Sequence, residues 1–190
     1  MANKFQTKII KVIDLQLDPK NPRFFGLKKK GQNSIIAYLL DNEDVIDLAR
    51  SINSYGGLMP GEFPIVCREN NISIVIEGNR RVCACKILLD PHLAPAKFRA
   101  SIPKITQPTR NDINKIQVHI ISSREAAQVV LGTRHIQGIK KWPSVSKFMF
   151  FANQFKNGKS IDEIKLLTGV STGTITTALR KHFFLEYILG

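Results

Sequence analysis

Four stretches of the chain have the hydrophobic pattern of β-strands. Apolar and polar residues alternate from Lys8 to Leu17, in KIIKVIDLQL, and this period of two predicts a strand. The segment FPIVCRENNISIVIE holds two runs rich in β-branched residues on either side of Asn70-Asn71, which predicts a hairpin. The β-branched content of KIQVHIIS, Lys115 to Ser122, predicts a further strand.

Helical patterns occupy the other regular parts of the chain. Asn33 to Tyr55 has helical spacing in two pieces, with Ile46, Leu48, Ala49 and Ile52 on the buried side, and Gly56-Gly57 is expected to end it. Another helix is predicted to begin near Asn79. The stretch from Asp90 to Asp112 contains four prolines and is predicted to be loop-rich, as in an insertion. From Ser123 onward the pattern is almost entirely helical, so we predict one domain over residues 1–122 and a second over 123–190.

A helix-turn-helix is predicted at about residues 160–182, in GKSIDEIKLLTGVSTGTITTALRKH. Ser160 followed by Glu163 is a capping box, so the first helix should begin at Ile161 and run to about Leu167. TGVS then forms a turn, and the second helix begins near Thr172. Apolar residues stand where this motif needs contacts, at Ile164, Val170, Ile175 and Ala178. Lys165 departs from the pattern, because a small residue usually lies where the two helices cross.

The second helix of this motif reads bases in the DNA major groove with its N-terminal side chains. The candidate base-reading residues all carry hydroxyl groups: Ser171, Thr172, Thr174, Thr176 and Thr177. Arg180 and Lys181 are better placed for phosphates, and Lys140 and Lys141 are further candidate DNA contacts. The structural alternative is an ordinary helical hairpin whose threonines face water.

Composition and charge strengthen the DNA-binding hypothesis. The 190 residues are 43% hydrophobic and carry a net charge of +13, as in a folded basic protein. Residues 1–95 hold 13 basic and 10 acidic side chains, whereas residues 96–190 hold 15 and 5, so the excess lies in the C-terminal half. A polyanion partner is expected there. The three cysteines have no zinc-site spacing, and the sequence contains no signal peptide or membrane-spanning run, so we predict a cytoplasmic protein without a membrane partner.

Two arginines stand at the predicted helix start in IVIEGNRRVCACKIL, Ile74 to Leu88. The positive end of a helix dipole disfavours Arg80 and Arg81, and carboxylates are the usual residues there. An anion bound between the arginines and the Gly78 turn would explain them, because backbone N–H groups at a helix N-terminus bind anions.

Five segments, in order, resemble the ParB/sulfiredoxin-like superfamily, and specifically its ParB side. They are LDPKNPR (Leu17 to Arg23), DLARSINSYGGLMP (Asp47 to Pro60), VIEGNRRVCACKIL (Val75 to Leu88), RHIQGIKKWP (Arg134 to Pro143) and the predicted helix-turn-helix. The resemblance implies an α+β N-terminal ParB/sulfiredoxin-like domain with a small mixed sheet and an all-α C-terminal helix-turn-helix domain. It also implies a DNA-binding protein whose N-terminal domain binds a nucleotide, CTP with magnesium in ParB proteins, and gates DNA binding.

The resemblance also implies which residues hold the nucleotide. Gly78, Asn79, Arg80 and Arg81 would cradle the phosphates, Asn21 and Arg23 would close the pocket, Gly57 and Pro60 would form a wall, and Arg134 and His135 would lie where the family binds metal. Two departures bear on the chemistry. Asn79 replaces a glutamate, and Arg134-His135 replaces a Glu-Asn pair, so the expected acidic magnesium ligand is absent. The expected cofactor is therefore CTP or another NTP, magnesium stays possible, and no metal-ligand residues are assigned.

Three alternatives are considered beside this reading. Sulfiredoxin chemistry is rejected, because it needs a cysteine in the glycine-rich motif, where this chain has Asn79. A ParB-like NTPase or nuclease of a plasmid or defence system stays an alternative, although Asp18 and Glu77 are the only acids beside the motifs. A nucleotide-independent helix-turn-helix regulator is the third. A C-terminal dimerisation domain of the chromosomal ParB type is not expected, and a homodimer stays open.

Overall fold

A computed structural model describes residues 6–132, 144–168 and 170–189. Within this part of the chain the strands β1–β5 are Gln6–Lys11, Leu15–Leu17, Ile65–Glu69, Ile72–Glu77 and Lys115–Ile121. The helices α1–α9 are Gln32–Asn42, Val45–Tyr55, Asn79–Leu89, Ala96–Arg99, Gln107–Asn114, Arg124–Leu131, Ser144–Lys156, Ile161–Thr168 and Thr172–Leu189. Short 3₁₀ turns occupy Val12–Asp14, Pro22–Phe24 and Pro91–Leu93.

The chain forms two units. The first contains Met1–Pro19 and Leu27–Ala126, and the second contains Lys20–Gly26 and Ala127–Gly190. The predicted division into domains of residues 1–122 and 123–190 stays a prediction. Within the described ranges, no helix is both long and apolar enough to cross a lipid bilayer.

The first unit is built on a five-stranded mixed sheet with the strand order β1-β5-β3-β4-β2. Strand β2 pairs with β4, and β3 with β5, in parallel, whereas β1 with β5 and β3 with β4 pair antiparallel. This confirms the small mixed sheet. The β3–β4 hairpin turns at Asn70 and Asn71, whose φ angles of 48° and 63° suit the short polar side chains of asparagine.

The connection between β1 and β2 forces the sheet to curl. These strands lie at opposite edges of the sheet, yet only the turn Val12–Asp14 joins them. A flat sheet would place them four strand spacings apart, about 19 Å. The four Cα steps from Lys11 to Leu15 span at most about 14 Å. The sheet therefore curls until its edges approach, and Gln6–Leu17 bridges from β5 to β4.

Two predictions about local structure are wrong in detail. The predicted strand Lys8 to Leu17 is two strands, because Val12 turns into the core and is fully buried. The proline-rich stretch after Asp90 contains α5, which begins after Thr106 with Pro108 in its first turn. Proline is tolerated there because N–H groups in the first turn need no helical partner.

Helix α3 is the central helix of the first unit. It packs against α2 and also contacts α1, α5 and strands β2 and β4. Its residues Val82 through Leu88 are all buried. Lys86 is among them, and its Nζ donates to the backbone oxygen of Ile13 at 3.3 Å. Burial lowers the pKa of Lys86 from its ordinary value.

The second unit is helical in its described part. Helices α7, α8 and α9 pack on one another, and the turn Pro22–Phe24 packs on α7. Phe24, Phe150 and Phe151 are fully buried in this unit. Gln154 and Gln128 hydrogen-bond at 2.8 Å and link α7 to α6.

Candidate functional site

The N-terminus of α3 is formed by a glycine turn directly after β4. Gly78 has φ +93°, in the left-handed region, and makes no side-chain cap. A Cβ at this position would lie 3.1 Å from the Pro64 Cβ and 3.4 Å from Nη2 of Arg81. Both the backbone angle and the close approach of Pro64 therefore require glycine.

Asn79, one of the predicted phosphate-binding residues, is engaged within the fold. It is buried, its Oδ1 accepts from the backbone N–H of Asp18 at 2.8 Å, and its Nδ2 donates to the backbone oxygen of Val75 at 2.7 Å. An amide can donate and accept at once, which a glutamate carboxylate cannot. Asn79 thus joins the end of β2 to the start of α3.

Acidic side chains lie beside both arginines of the first turn of α3. Arg81 Nη2 donates to Glu77 Oε2 at 2.8 Å, and Arg81 Nη1 lies 3.8 Å from Glu62 Oε1. Arg80 Nε lies 3.9 Å from Glu43 Oε2. These carboxylates offset the repulsion from the helix dipole. The buried Nε atoms of Arg80 and Arg81 nevertheless find no hydrogen-bond acceptor among the described residues.

A third arginine in the first turn of a helix forms a partly buried ion cluster that the sequence reasoning missed. Arg124, at the start of α6, binds both carboxylate oxygens of Asp18 at 2.7 and 2.8 Å and also pairs with Glu69. Burial lowers the pKa of Arg124, but its hydrogen bonds and attraction to Asp18 and Glu69 outweigh this and raise the pKa overall. A cation at a helix start, as at Arg80, was the signal that could have revealed the cluster.

The two acids that the sequence placed beside the pocket are therefore held by arginines. Asp18 is 4% exposed and bound by Arg124, and Glu77 is 8% exposed and bound by Arg81. Among the described residues no group of three His, Cys, Asp or Glu side chains is arranged to hold a metal ion.

The predicted wall residues lie in a segment that borders α3. Gly57 is buried, and a Cβ there would overlap the carboxylate of Asp112, so glycine allows this close approach. Pro60 is exposed. Glu62 and Pro64, a few residues further on, contact Arg81 and approach Gly78, as described above. The first unit thus brings the glycine turn, the arginines and this segment together.

The other four residues predicted to bind nucleotide lie in the second unit or outside the described residues. Asn21 and Arg23 belong to the second unit, where the Asn21 side chain accepts from the backbone N–H of Arg23 at 3.0 Å and caps a 3₁₀ turn. Arg134 and His135 lie outside the described residues.

The thiols beside the arginines are inert. Cys83 and Cys85 lie in the body of α3, fully buried and without a disulfide. Burial raises the pKa of each to about 12, so neither forms a thiolate near neutral pH.

In the second unit, helices α8 and α9 have the predicted starts. The hydroxyl of Ser160 accepts from the N–H of Glu163 at 3.2 Å, and the Glu163 carboxylate accepts from the Ser160 N–H at 2.7 Å. This is the predicted capping box, and it begins α8 at Ile161. Hydrogen bonding from Ser160 lowers the pKa of Glu163. Ser171 caps α9 by accepting from the N–H of Thr174 at 3.3 Å.

The two helices are held by the predicted apolar residues. Ile164 and Ile175 are fully buried, Ala178 is 3% exposed, and Val170 is partly buried. Lys165, expected to disturb the crossing, is exposed to solvent. The backbone of α8 approaches Gly132 closely, since a Cβ on that glycine would lie 2.9 Å from the Leu167 oxygen.

The candidate DNA-contacting side chains of α9 face solvent. The exposed members are Ser171, Thr172, Thr174, Thr177, Arg180 and Lys181. Thr176 is partly buried, and its hydroxyl donates to the backbone oxygen of Thr172 at 2.9 Å. Lys140 and Lys141 lie outside the described residues.

Comparisons with known proteins add a structural likeness. No protein-family model matches the sequence, and no curated protein matches it significantly. Among solved structures, the chain is similar to the C-terminally truncated chromosome-partitioning protein ParB from Caulobacter crescentus complexed with CTP-gamma-S. The identity is 14% and the TM-score 0.39, over 92% of this chain and 77% of that chain.

Proposed function

We propose that this protein binds double-stranded DNA through the first turns of α9. The observation that carries the proposal is the difference between the two sides of this helix. Ile175 and Ala178 are buried, whereas hydroxyl side chains and two cations on the same turns are exposed. A capped helix with this division can enter the major groove while the buried side holds it on the unit.

The chemistry of the exposed side divides the work between two kinds of side chain. Hydroxyl groups can donate to or accept from base edges and therefore discriminate weakly between them. Arg180 and Lys181 supply charge for phosphates, and neither makes an ion pair with another described residue. We therefore expect binding whose affinity depends strongly on salt and whose sequence preference is modest.

A fluorescence anisotropy titration with labelled duplex DNA at several salt concentrations tests this proposal. The double variant Arg180→Gln/Lys181→Gln should bind more weakly, with a salt slope smaller by about two. The matched control is Arg50→Gln/Lys97→Gln, which removes two exposed cations of the first unit. Equal losses in both variants would show that total charge, and not α9, determines binding.

We also propose that the first unit binds a nucleoside triphosphate, CTP or another, at the N-terminus of α3. The support is the uncapped Gly78 turn together with the buried Nε groups of Arg80 and Arg81, which are donors without an acceptor among the described residues. Gly57, Pro60 and Asn79 are proposed to shape the site through the backbone. Asn21, Arg23, Arg134 and His135 stay predicted contributors.

Calorimetric titration with CTP, ATP and GTP, with and without magnesium, tests the nucleotide proposal. Binding of one nucleotide should be lost in Arg80→Gln and kept in Arg50→Gln, whose arginine pairs with Asp47 on the surface. Circular dichroism of both variants checks that the fold is intact. The absence of binding by all three nucleotides would leave the nucleotide-independent DNA-binding regulator as the function.

We further propose that nucleotide binding to the first unit gates DNA binding by α9. If nucleotide changes the affinity for DNA, then DNA must change the affinity for nucleotide by the same factor. Repeating the anisotropy titration with saturating nucleotide measures this factor. A factor of one would reject gating but not the two binding proposals.

The NTPase or nuclease alternative predicts release of phosphate or cleavage of DNA in the same samples. The pairing of Asp18 and Glu77 with arginines gives that alternative no evident general base.

A further inference from the structure

The first unit contains a hollow against its curled sheet. Its volume is about 520 Å³, within the range of small-molecule sites. Both strands at the edges of the sheet line it, together with the β3–β4 hairpin and the end of β5. The lining residues used below are Lys8, Ile10, Arg68, Ile72, Ile120 and Asp14.

Two cations in this hollow have no partner in the described structure. The side chains of Lys8 and Arg68 make no hydrogen bond and no ion pair with any described residue. The acid in the lining, Asp14, is exposed and interacts electrostatically with Lys86. The lining therefore has a net charge of +1, counting Lys8, Arg68 and Asp14, and it attracts an anion.

The apolar part of the lining consists of isoleucines from three strands. Ile10 and Ile120 are partly buried, and Ile72 is 39% exposed. A ligand with a short aliphatic body would cover these side chains and remove them from water. Apolar and cationic groups in one hollow together favour an amphipathic anion over a simple inorganic ion.

We propose that this hollow binds a small organic carboxylate with a short aliphatic chain. The guanidinium of Arg68 has the planar geometry that carboxylates match, and Lys8 adds a second charge. A single negative charge suits the net charge of the lining, and Asp14 disfavours a dianion. The site is independent of the functions proposed above, since neither the N-terminus of α3 nor α9 lines it.

The test is an NMR titration of the ¹⁵N-labelled full chain with hexanoate. We expect saturable shifts of the amide signals of β1 and the β3–β4 hairpin. Hexylammonium, which has the same chain and the opposite charge, should produce no saturable shift there, and inorganic phosphate should bind more weakly. Shifts confined to other residues, equal binding of hexylammonium, or no saturation by about 10 mM hexanoate would overturn the proposal.

Matched variants locate the binding. Lys8→Gln/Arg68→Gln should weaken hexanoate binding about tenfold or more, because two charge-assisted contacts are removed. The control variant Lys11→Gln/Lys115→Gln removes two cations that lie opposite each other on β1 and β5 and do not line the hollow. It should leave hexanoate binding unchanged. Equal effects of the two double variants would show a general charge effect and reject the site.

Discussion

The helices α3 and α9 both carry a pair of adjacent cations, Arg80-Arg81 in the first turn of α3 and Arg180-Lys181 in the middle of α9, and the surroundings of the two pairs differ. At α3 the arginines are largely buried and lie beside carboxylates, with Arg81 bound to Glu77. At α9 the hydroxyls and cations are exposed, and Arg180 and Lys181 make no ion pair within the described ranges. At α3 carboxylates of the chain lie beside the arginines and leave only the buried Nε donors for a ligand, whereas at α9 the cationic side chains themselves lie in solvent. Equivalent substitutions should therefore change the stability of the protein by different amounts at the two helices.

The largest loss of stability is expected on breaking the ion pair of Asp18, the most deeply buried of the paired carboxylates described above. Arg124→Leu would leave Asp18 buried without its bidentate partner, so we expect the free energy of unfolding to fall by about 3–5 kcal/mol. Urea denaturation measures this loss. Arg50→Leu breaks only an exposed pair with Asp47 and should cost less than about 1 kcal/mol. A loss as small as that of the control would mean that the cluster does not stabilise the first unit.

An equivalent substitution at the two helices tests the contrast directly. Arg81→Gln should lower the free energy of unfolding by about 1–3 kcal/mol, because the buried Glu77 loses its charged donor. Arg180→Gln should change it by less than about 0.5 kcal/mol, as expected for an exposed residue. Chemical denaturation of both variants makes the comparison, and similar values for the two would contradict it.

The glycines at the starts of these two helices, Gly78 just before α3 and Gly173 in the first turn of α9, offer a smaller and purely conformational test. Gly78→Ala should destabilise by about 1–2 kcal/mol, because φ is +93° and Pro64 leaves little room. Gly173, in the first turn of α9, has no atom within 4 Å of an added Cβ, so Gly173→Ala should stabilise by up to about 1 kcal/mol. Thermal unfolding followed by circular dichroism should show midpoints that move in opposite directions.

The smallest predicted effect concerns pH and α9. His182 is buried and its ring contacts Phe183. Burial lowers the pKa of His182 from 6.5, and the nearby charges of Glu186 and Lys156 act on this pKa in opposite directions. The unfolded chain therefore takes up a proton before the folded one does, so stability is full above about pH 6.5 and falls as the pH drops toward the folded pKa. Urea denaturation at neutral and mildly acidic pH should show this decline. His182→Gln should reduce it, and an unchanged decline would assign it to other groups.

Local features of the fold were predictable because neighbouring residues determine them. The Asn70-Asn71 turn, the end of α2 at Gly56 and the capping box of Ser160 and Glu163 are all present as predicted. The break at Val12–Asp14 was missed, although the alternation shifts by one residue there: Val12 is buried before the shift, and Leu15 and Leu17 are buried after it. A pattern of period two cannot report that a strand has changed its pairing partner.

The same distinction applies to the candidate sites. The sequence alone indicated the anomalous arginines at the start of α3 and the apolar contacts of α8 and α9, since both depend on positions within one or two turns of helix. Only the tertiary structure decided what those arginines contact, because Glu43 and Glu62 come from other segments of the chain. It also decided the pairing of Asp18 with Arg124, which are 106 residues apart, and the curl that places Lys8 and Arg68 around one hollow. Side-chain chemistry is written in the sequence, but burial and neighbours across the fold determine how each charge is used.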